Sequence, residues 1–193
     1  MMYEQAYREG MTFQAFLEDA EENRELWQAM APRARVPEWT VARARSVPGD
    51  WRLLAIADDW CGDAVNILPV VARLVEQVDT LELRIVSRDA APELMDRHRT
   101  KGSRSIPVLI LLDGRGVCRG WWGPRPSELQ AWFEAEGRPM RKDERYRGLR
   151  RWYARNRGAA IASEVAELIA CAGLPGEPDC GDVTRPCPDR LAA

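Results

Sequence analysis

The residues with most chemistry within reach are Trp60, Cys61, Gly62 and Asp63, which sit where an apolar run ends. The thiolate, not the thiol, is the form of cysteine that attacks a disulfide. Cys61 falls between the apolar stretch WRLLAIAD and a helical stretch running from Asp63 to about Val78. At a helix N-terminus, unpaired backbone N–H groups and the helix dipole favour an anion. Asp63 works in the opposite direction, because a carboxylate in the first turn repels a thiolate. Trp60 offers a flat apolar shield, or else fills the core, and Gly62 allows close approach to the sulfur. The next cysteine, Cys118, is 57 residues away, so Cys61 has no neighbour in the chain to pair with.

A second constellation is RSIPVLILLDGRG, residues 104–116. A proline is tolerated at the first residue of a strand. If the Ile106–Pro107 bond is cis, the Ile106 backbone is turned out of the sheet and left free to pair with something else. Pro107 follows Cys61 by 46 residues and opens a strand expected to lie beside the one leading to the cysteine.

These positions need elements to hold them. WRLLAIAD, LELRIVSR, IPVLILLD and VCRGWW read as strands, the last two joined by a turn at Gly114 and Gly116. Helices are expected between the first and second strands, over APELMDRHR, and over PSELQAWFEAEG with Ser127 as N-cap. The order β-α-β-α-β-β-α combines a crossover long enough for parallel pairing with a hairpin for antiparallel pairing. Before this core, residues 12–30 carry apolar side chains at helical spacing behind Thr12, and PEWTVARARSV reads as a short helix with Pro37 in its first turn. After it, residues 138–157 carry nine Arg or Lys against Asp143 and Glu144, and GAAIASEVAELIACAG reads as an amphipathic helix. Residues 174–193, rich in Pro, Gly and Asp, read as a loose tail. The expected organisation is an N-terminal helical extension (1–49), a core domain (50–137), and a C-terminal helical extension with tail (138–193).

Composition narrows the function classes. Apolar residues at 46% and charged residues at 30% describe a globular chain, and a net charge of -2 exerts no global pull on nucleic acid or anionic membrane. No apolar run approaches the roughly 20 residues of a spanning helix, and MMYEQAYREG lacks the apolar core of a signal peptide. The expectation is a cytoplasmic protein without membrane contact. In that setting Cys118 and Cys171 read as small buried hydrophobes, Cys180 and Cys187 as exposed residues of the tail, and the thiols as free. No close pair of metal ligands occurs, so no metal is expected. His98, on a charged helical stretch, reads as solvated. KDERYRGLRRWYARNRG interleaves arginines with Tyr146, Trp152 and Tyr153. Packing of that aromatic face on the core is preferred to nucleic-acid binding, which is not expected.

WCG at a strand-to-helix turn, then S-I-P before a strand and a glycine hairpin, resembles the thioredoxin superfamily over residues 50–137. The resemblance implies a thioredoxin-like α/β fold, a central mixed sheet flanked by helices, here with N- and C-terminal helical extensions. It implies that Cys61 is the attacking residue and that Pro107 is the cis-proline. It also implies that the Ile106 backbone pairs with a substrate chain and that Gly123, sixteen residues after Pro107, lies beside the site. Trp60, Gly62 and Asp63 complete the implied substrate surface. The chain departs from the family motif W-C-G-P-C in reading Trp60-Cys61-Gly62-Asp63-Ala64, so Ala64 replaces the resolving cysteine. The buried acid of the family corresponds to Ala55, with Asp58 and Asp59 as nearby substitutes if one faces inward. Two functions therefore stand side by side. One is a monothiol thiol–disulfide oxidoreductase using Cys61, with no cofactor beyond a low-molecular-weight thiol such as glutathione. Its partners are protein thiols or disulfides or a reductase, or Cys171, Cys180 or Cys187 as resolver. The other is a non-catalytic module that binds a protein along the cis-proline edge.

Overall fold

The computed structural model describes residues 2–173, within which four strands form one sheet in the order β2-β1-β3-β4. They are β1 (Trp51–Ile56), β2 (Leu81–Val86), β3 (Val108–Asp113) and β4 (Cys118–Trp122). β1 pairs parallel with β2 and antiparallel with β3, aligning Leu53 with Leu83 on one side and Leu111 on the other. β3 and β4 close an antiparallel hairpin. The two inner strands are continuous apolar runs because both faces are covered: Leu53 to Ile56 and Val108 to Leu112 are all inaccessible to solvent. Helix α5 (Gly62–Val75) makes the crossover from β1 to β2, and α6 (Pro92–Arg97) and α7 (Ser127–Trp132) follow β2 and β4. This mixed sheet flanked by helices is the thioredoxin-like architecture expected.

The N-terminal extension is more divided than its periodicity indicates. It forms α1 (Met2–Glu9), α2 (Phe13–Asp19), α3 (Arg24–Met30) and α4 (Glu38–Arg45). Thr12 caps α2 as expected, its hydroxyl accepting the Ala15 N–H at 3.1 Å. The single helix expected over residues 12–30 breaks because the N–H groups of Glu21 and Glu22 both donate to the Asp59 carboxylate, at 2.8 Å each. Asn23 then adopts a left-handed conformation, φ 52°, which asparagine tolerates better than most residues. The extension also covers the sheet edge: Met11 bridges to Ile85 of β2, and the Tyr7 hydroxyl donates to Glu82 at 2.7 Å.

The C-terminal extension consists of α8 (Lys142–Asn156) and α9 (Ala159–Ala172). Leu149, Trp152 and Tyr153 of α8 are buried, so this part of the aromatic face packs, whereas Tyr146 stays exposed. Glu164 of α9 accepts from Trp122 Nε1 at 2.7 Å and from the Ser127 hydroxyl at 2.6 Å, tying α9 to β4 and the start of α7. Ser127 is therefore the first helical residue, spent on Glu164, and Pro126 occupies the N-cap position.

Two further expectations are corrected. His98 is fully buried, its ring edge-on to Trp121 at 5.4 Å and to Tyr3 at 5.9 Å, with Nδ1 2.8 Å from the Leu94 carbonyl. The slot it fills is made by α1 and β4, which local periodicity does not register. Cys118 and Cys171 are disulfide-bonded rather than free; that expectation rested on a reducing cytoplasmic setting, which says nothing of the sulfurs that the fold brings within bonding distance. Cys180 and Cys187, and the tail they belong to, lie outside the described residues. Among the described residues no helix is long and apolar enough to cross a membrane.

Candidate functional site

Cys61 is the N-cap residue of α5, reached directly from the end of β1 through the turn at residues 57–60. The sulfur is not presented openly: the residue is 7% exposed, and Sγ donates to the Ile106 carbonyl at 3.4 Å. The fold thus joins the two constellations, since Ile106 immediately precedes Pro107 and the Ile106–Pro107 bond is cis. Gly123 stands against the same point. Its φ is 140°, in the region that favours glycine, and a Cβ there would collide with the Pro107 carbonyl oxygen.

The thiol carries opposing influences. Burial dominates and pushes it up to about 11. The backbone N–H of Ala64 pulls it down, the Asp63 carboxylate pushes it up, and the Asp63 N–H and the Arg125 guanidinium pull it down. The helix terminus and Asp63 act in the directions their positions imply, but desolvation sets the sign. Ala64, in the place of a second thiol, is fully buried, and so is Ala55 in β1.

Trp60 and Gly62 form the exposed lip beside the sulfur. Trp60 is 47% exposed, which excludes a core-filling role, and the Arg88 guanidinium lies 4.9 Å from its ring centre. A Cβ on Gly62 would meet nothing within 4 Å. Asp63 points instead into the protein, where its carboxylate pairs with Arg125 at 2.6 Å and accepts from the Tyr153 hydroxyl at 2.9 Å. Arg125 and Tyr153 are the site residues that sequence reasoning missed. Tyr153 carried a partial signal as part of the buried aromatic face of α8; Arg125 carried none. Of the two acids before the cysteine, Asp59 faces the N-terminal extension, whereas Asp58 has one carboxylate oxygen buried with no hydrogen-bond partner among the described residues. Among those residues no group of three or more His, Cys, Asp or Glu could hold a metal ion.

Comparison with known proteins agrees with this geometry at the level of fold. Residues 10–141 match a family model described as thioredoxin. The chain resembles the crystal structure of a protein of unknown function from Pseudomonas aeruginosa, with a TM-score of 0.66 and 21% identity over 86% of this chain and 96% of that one. It resembles an HIV epitope-scaffold equally, with a TM-score of 0.66 and 20% identity over the same shares. No curated protein matches.

Proposed function

Because the chain belongs to the thioredoxin family, we propose that it docks an extended protein segment along the Ile106–Pro107 edge, with Cys61 protonated in the resting protein. The observation that carries this reading is the state of the sulfur: 7% exposed and spending its proton on the Ile106 carbonyl. A thiol raised to about 11 leaves on the order of one thiolate in ten thousand at pH 7. The exposed ring of Trp60 and the open space at Gly62 supply a surface for side chains of the docked segment. Ala64 leaves the adjacent resolving position without a thiol.

A second reading, monothiol exchange, is favoured by one observation: the N–H groups of Asp63 and Ala64 act on the sulfur and stabilise its anion. In that cycle the Cys61 thiolate attacks a disulfide, forms a mixed disulfide and releases the other sulfur as a thiolate. An external thiol such as glutathione then attacks the mixed disulfide, frees Cys61 and supplies the electrons.

The test is to mix the reduced protein with glutathione disulfide at neutral pH and follow Cys61 by mass spectrometry, with Cys61→Ser as control. Docking predicts a rate no faster than exchange with an ordinary buried thiol. A fast, Cys61-dependent mixed disulfide that glutathione then clears would replace docking with exchange.

A further inference from the structure

The Asp63 carboxylate and the Arg125 guanidinium are two opposite charges that both act on the Cys61 thiol. Both are largely withdrawn from water, with side chains 10% and 14% exposed and oxygen and nitrogen 2.6 Å apart. Tyr153 donates to the other Asp63 oxygen at 2.9 Å, and Gln130 accepts from Arg125 at 3.1 Å. The Phe133 ring covers the guanidinium at 4.2 Å. Arg125 retains one donor, Nε–H, that is buried and has no partner among the described residues. A pair fixed this firmly in a desolvated setting interacts strongly, and removing either member leaves the other charge uncompensated.

We propose that Asp63, Arg125 and Tyr153 form one charge-compensating unit that tunes the ionisation of Cys61 on top of its burial, which makes the C-terminal extension part of the thiol site. Asp63, in the first turn of α5, opposes a sulfur anion, and Arg125, on the loop before α7, supports one. Their pairing cancels most of both effects. Tyr153 of α8 stabilises the Asp63 carboxylate and keeps the cancellation in place. Other groups around the sulfur are the Ile106 carbonyl, which accepts its proton, and Asp58 and Asp59 in the preceding turn. Asp59 is engaged with the N-terminal extension. The three are positioning residues, and the inference holds for a docked segment and for an exchanged disulfide alike.

The experiment compares Asp63→Asn, Arg125→Gln and Tyr153→Phe by the ultraviolet absorbance of the Cys61 thiolate against pH. Each spectrum is taken as the difference from the corresponding Cys61→Ser protein. Asp63→Asn leaves Arg125 unopposed, so the midpoint moves down. Arg125→Gln leaves Asp63 unopposed, so it moves up, and Tyr153→Phe moves it up by less. Iodoacetamide rates at pH 7.5 move oppositely to the midpoint, rising where it falls and falling where it rises. One unit gives about tenfold more thiolate, each about threefold less nucleophilic, for a net change of about threefold. A merely structural ion pair would loosen the site in every variant, speeding alkylation in all three without opposite midpoint shifts. Movement in one common direction, or none, overturns the proposal. Arg125→Lys provides the check on folding, since retention of the positive charge should return the midpoint close to that of the unaltered protein.

Discussion

Asp59 and Asp63 lie four residues apart on either side of Cys61, and each is gripped by a different end of the chain. Asp59 is held from the N-terminal side, its carboxylate by the N–H groups of Glu21 and Glu22 and its carbonyl by Asn23 Nδ2 and Trp27 Nε1. Asp63 is held from the C-terminal side by a cation and a phenol. The first grip uses neutral donors and fixes where the turn lies. The second puts a positive charge near the sulfur and influences what the sulfur is. Breaking the first should therefore alter stability and access, and breaking the second should alter ionisation.

The strongest way to break the N-terminal grip is Trp27→Ala. Trp27 is fully buried, packs edge-on against Phe16 at 5.2 Å, and donates to the Asp59 carbonyl at 3.0 Å. We expect a loss of about 3–5 kcal/mol from the cavity and the orphaned carbonyl, measured as a shift in urea midpoint. A loss below about 1 kcal/mol would mean that α3 is an appendage and not a clamp. Next is Asp59→Ala, which strands two backbone donors and should cost about 1–3 kcal/mol. Alkylation of Cys61 should quicken while its thiolate midpoint stays in place. A moved midpoint would erase the division of labour between the two aspartates.

These partnerships show how far the sequence was legible. The four strands, the crossover helix, the turn at Cys61 and the proline edge were readable because each is written in a contiguous run: apolar stretches, turn glycines, and the S-I-P step. Partners arriving from distant segments were not. Arg125 lies on a loop with no periodicity of its own, and the backbone donors at Glu21 and Glu22 have no side-chain signature at all. The same limit explains His98: DRHR looks solvated, and only the approach of Tyr3 from α1 and Trp121 from β4 makes it a core residue. Gly123 is the opposite case, a lone residue whose place beside the site was implied by the family resemblance alone; the physical reason, a backbone approach to Pro107 that leaves no room for a Cβ, is visible only in the fold.

His98 sharpens the comparison from a third position, remote from either aspartate, because it reports how firmly α1 is seated. Burial lowers its folded-state pKa below the ordinary value of 6.5, with Arg97 acting in the same direction and the Leu94 carbonyl against them. Its neutral form is the native one, so its contribution is present above about pH 6.5 and is lost as acid protonates the unfolded chain. Between pH 7.5 and 5.5 we expect the unaltered protein to lose about 1 kcal/mol more than His98→Gln, by urea denaturation at each pH. Parallel pH profiles would show that His98 titrates alike in both states and that α1 leaves it open to water.

The smallest effect expected is the most specific to the N-terminal grip. Glu21 and Glu22 are exposed, and they hold Asp59 with their backbone N–H groups, not their carboxylates. Glu21→Gln with Glu22→Gln keeps both donors and removes two negative charges near a third. Stability should change by less than about 0.5 kcal/mol, with any change in the stabilising direction because like charges are removed. Glu22→Pro deletes one donor and should cost about 1–3 kcal/mol, since the Asp59 oxygen loses half of its support. If the double glutamine variant were the more damaging of the two, the grip would be a side-chain interaction. The contrast between a clamp that places the turn and a pair that charges the sulfur would then fail at its first term.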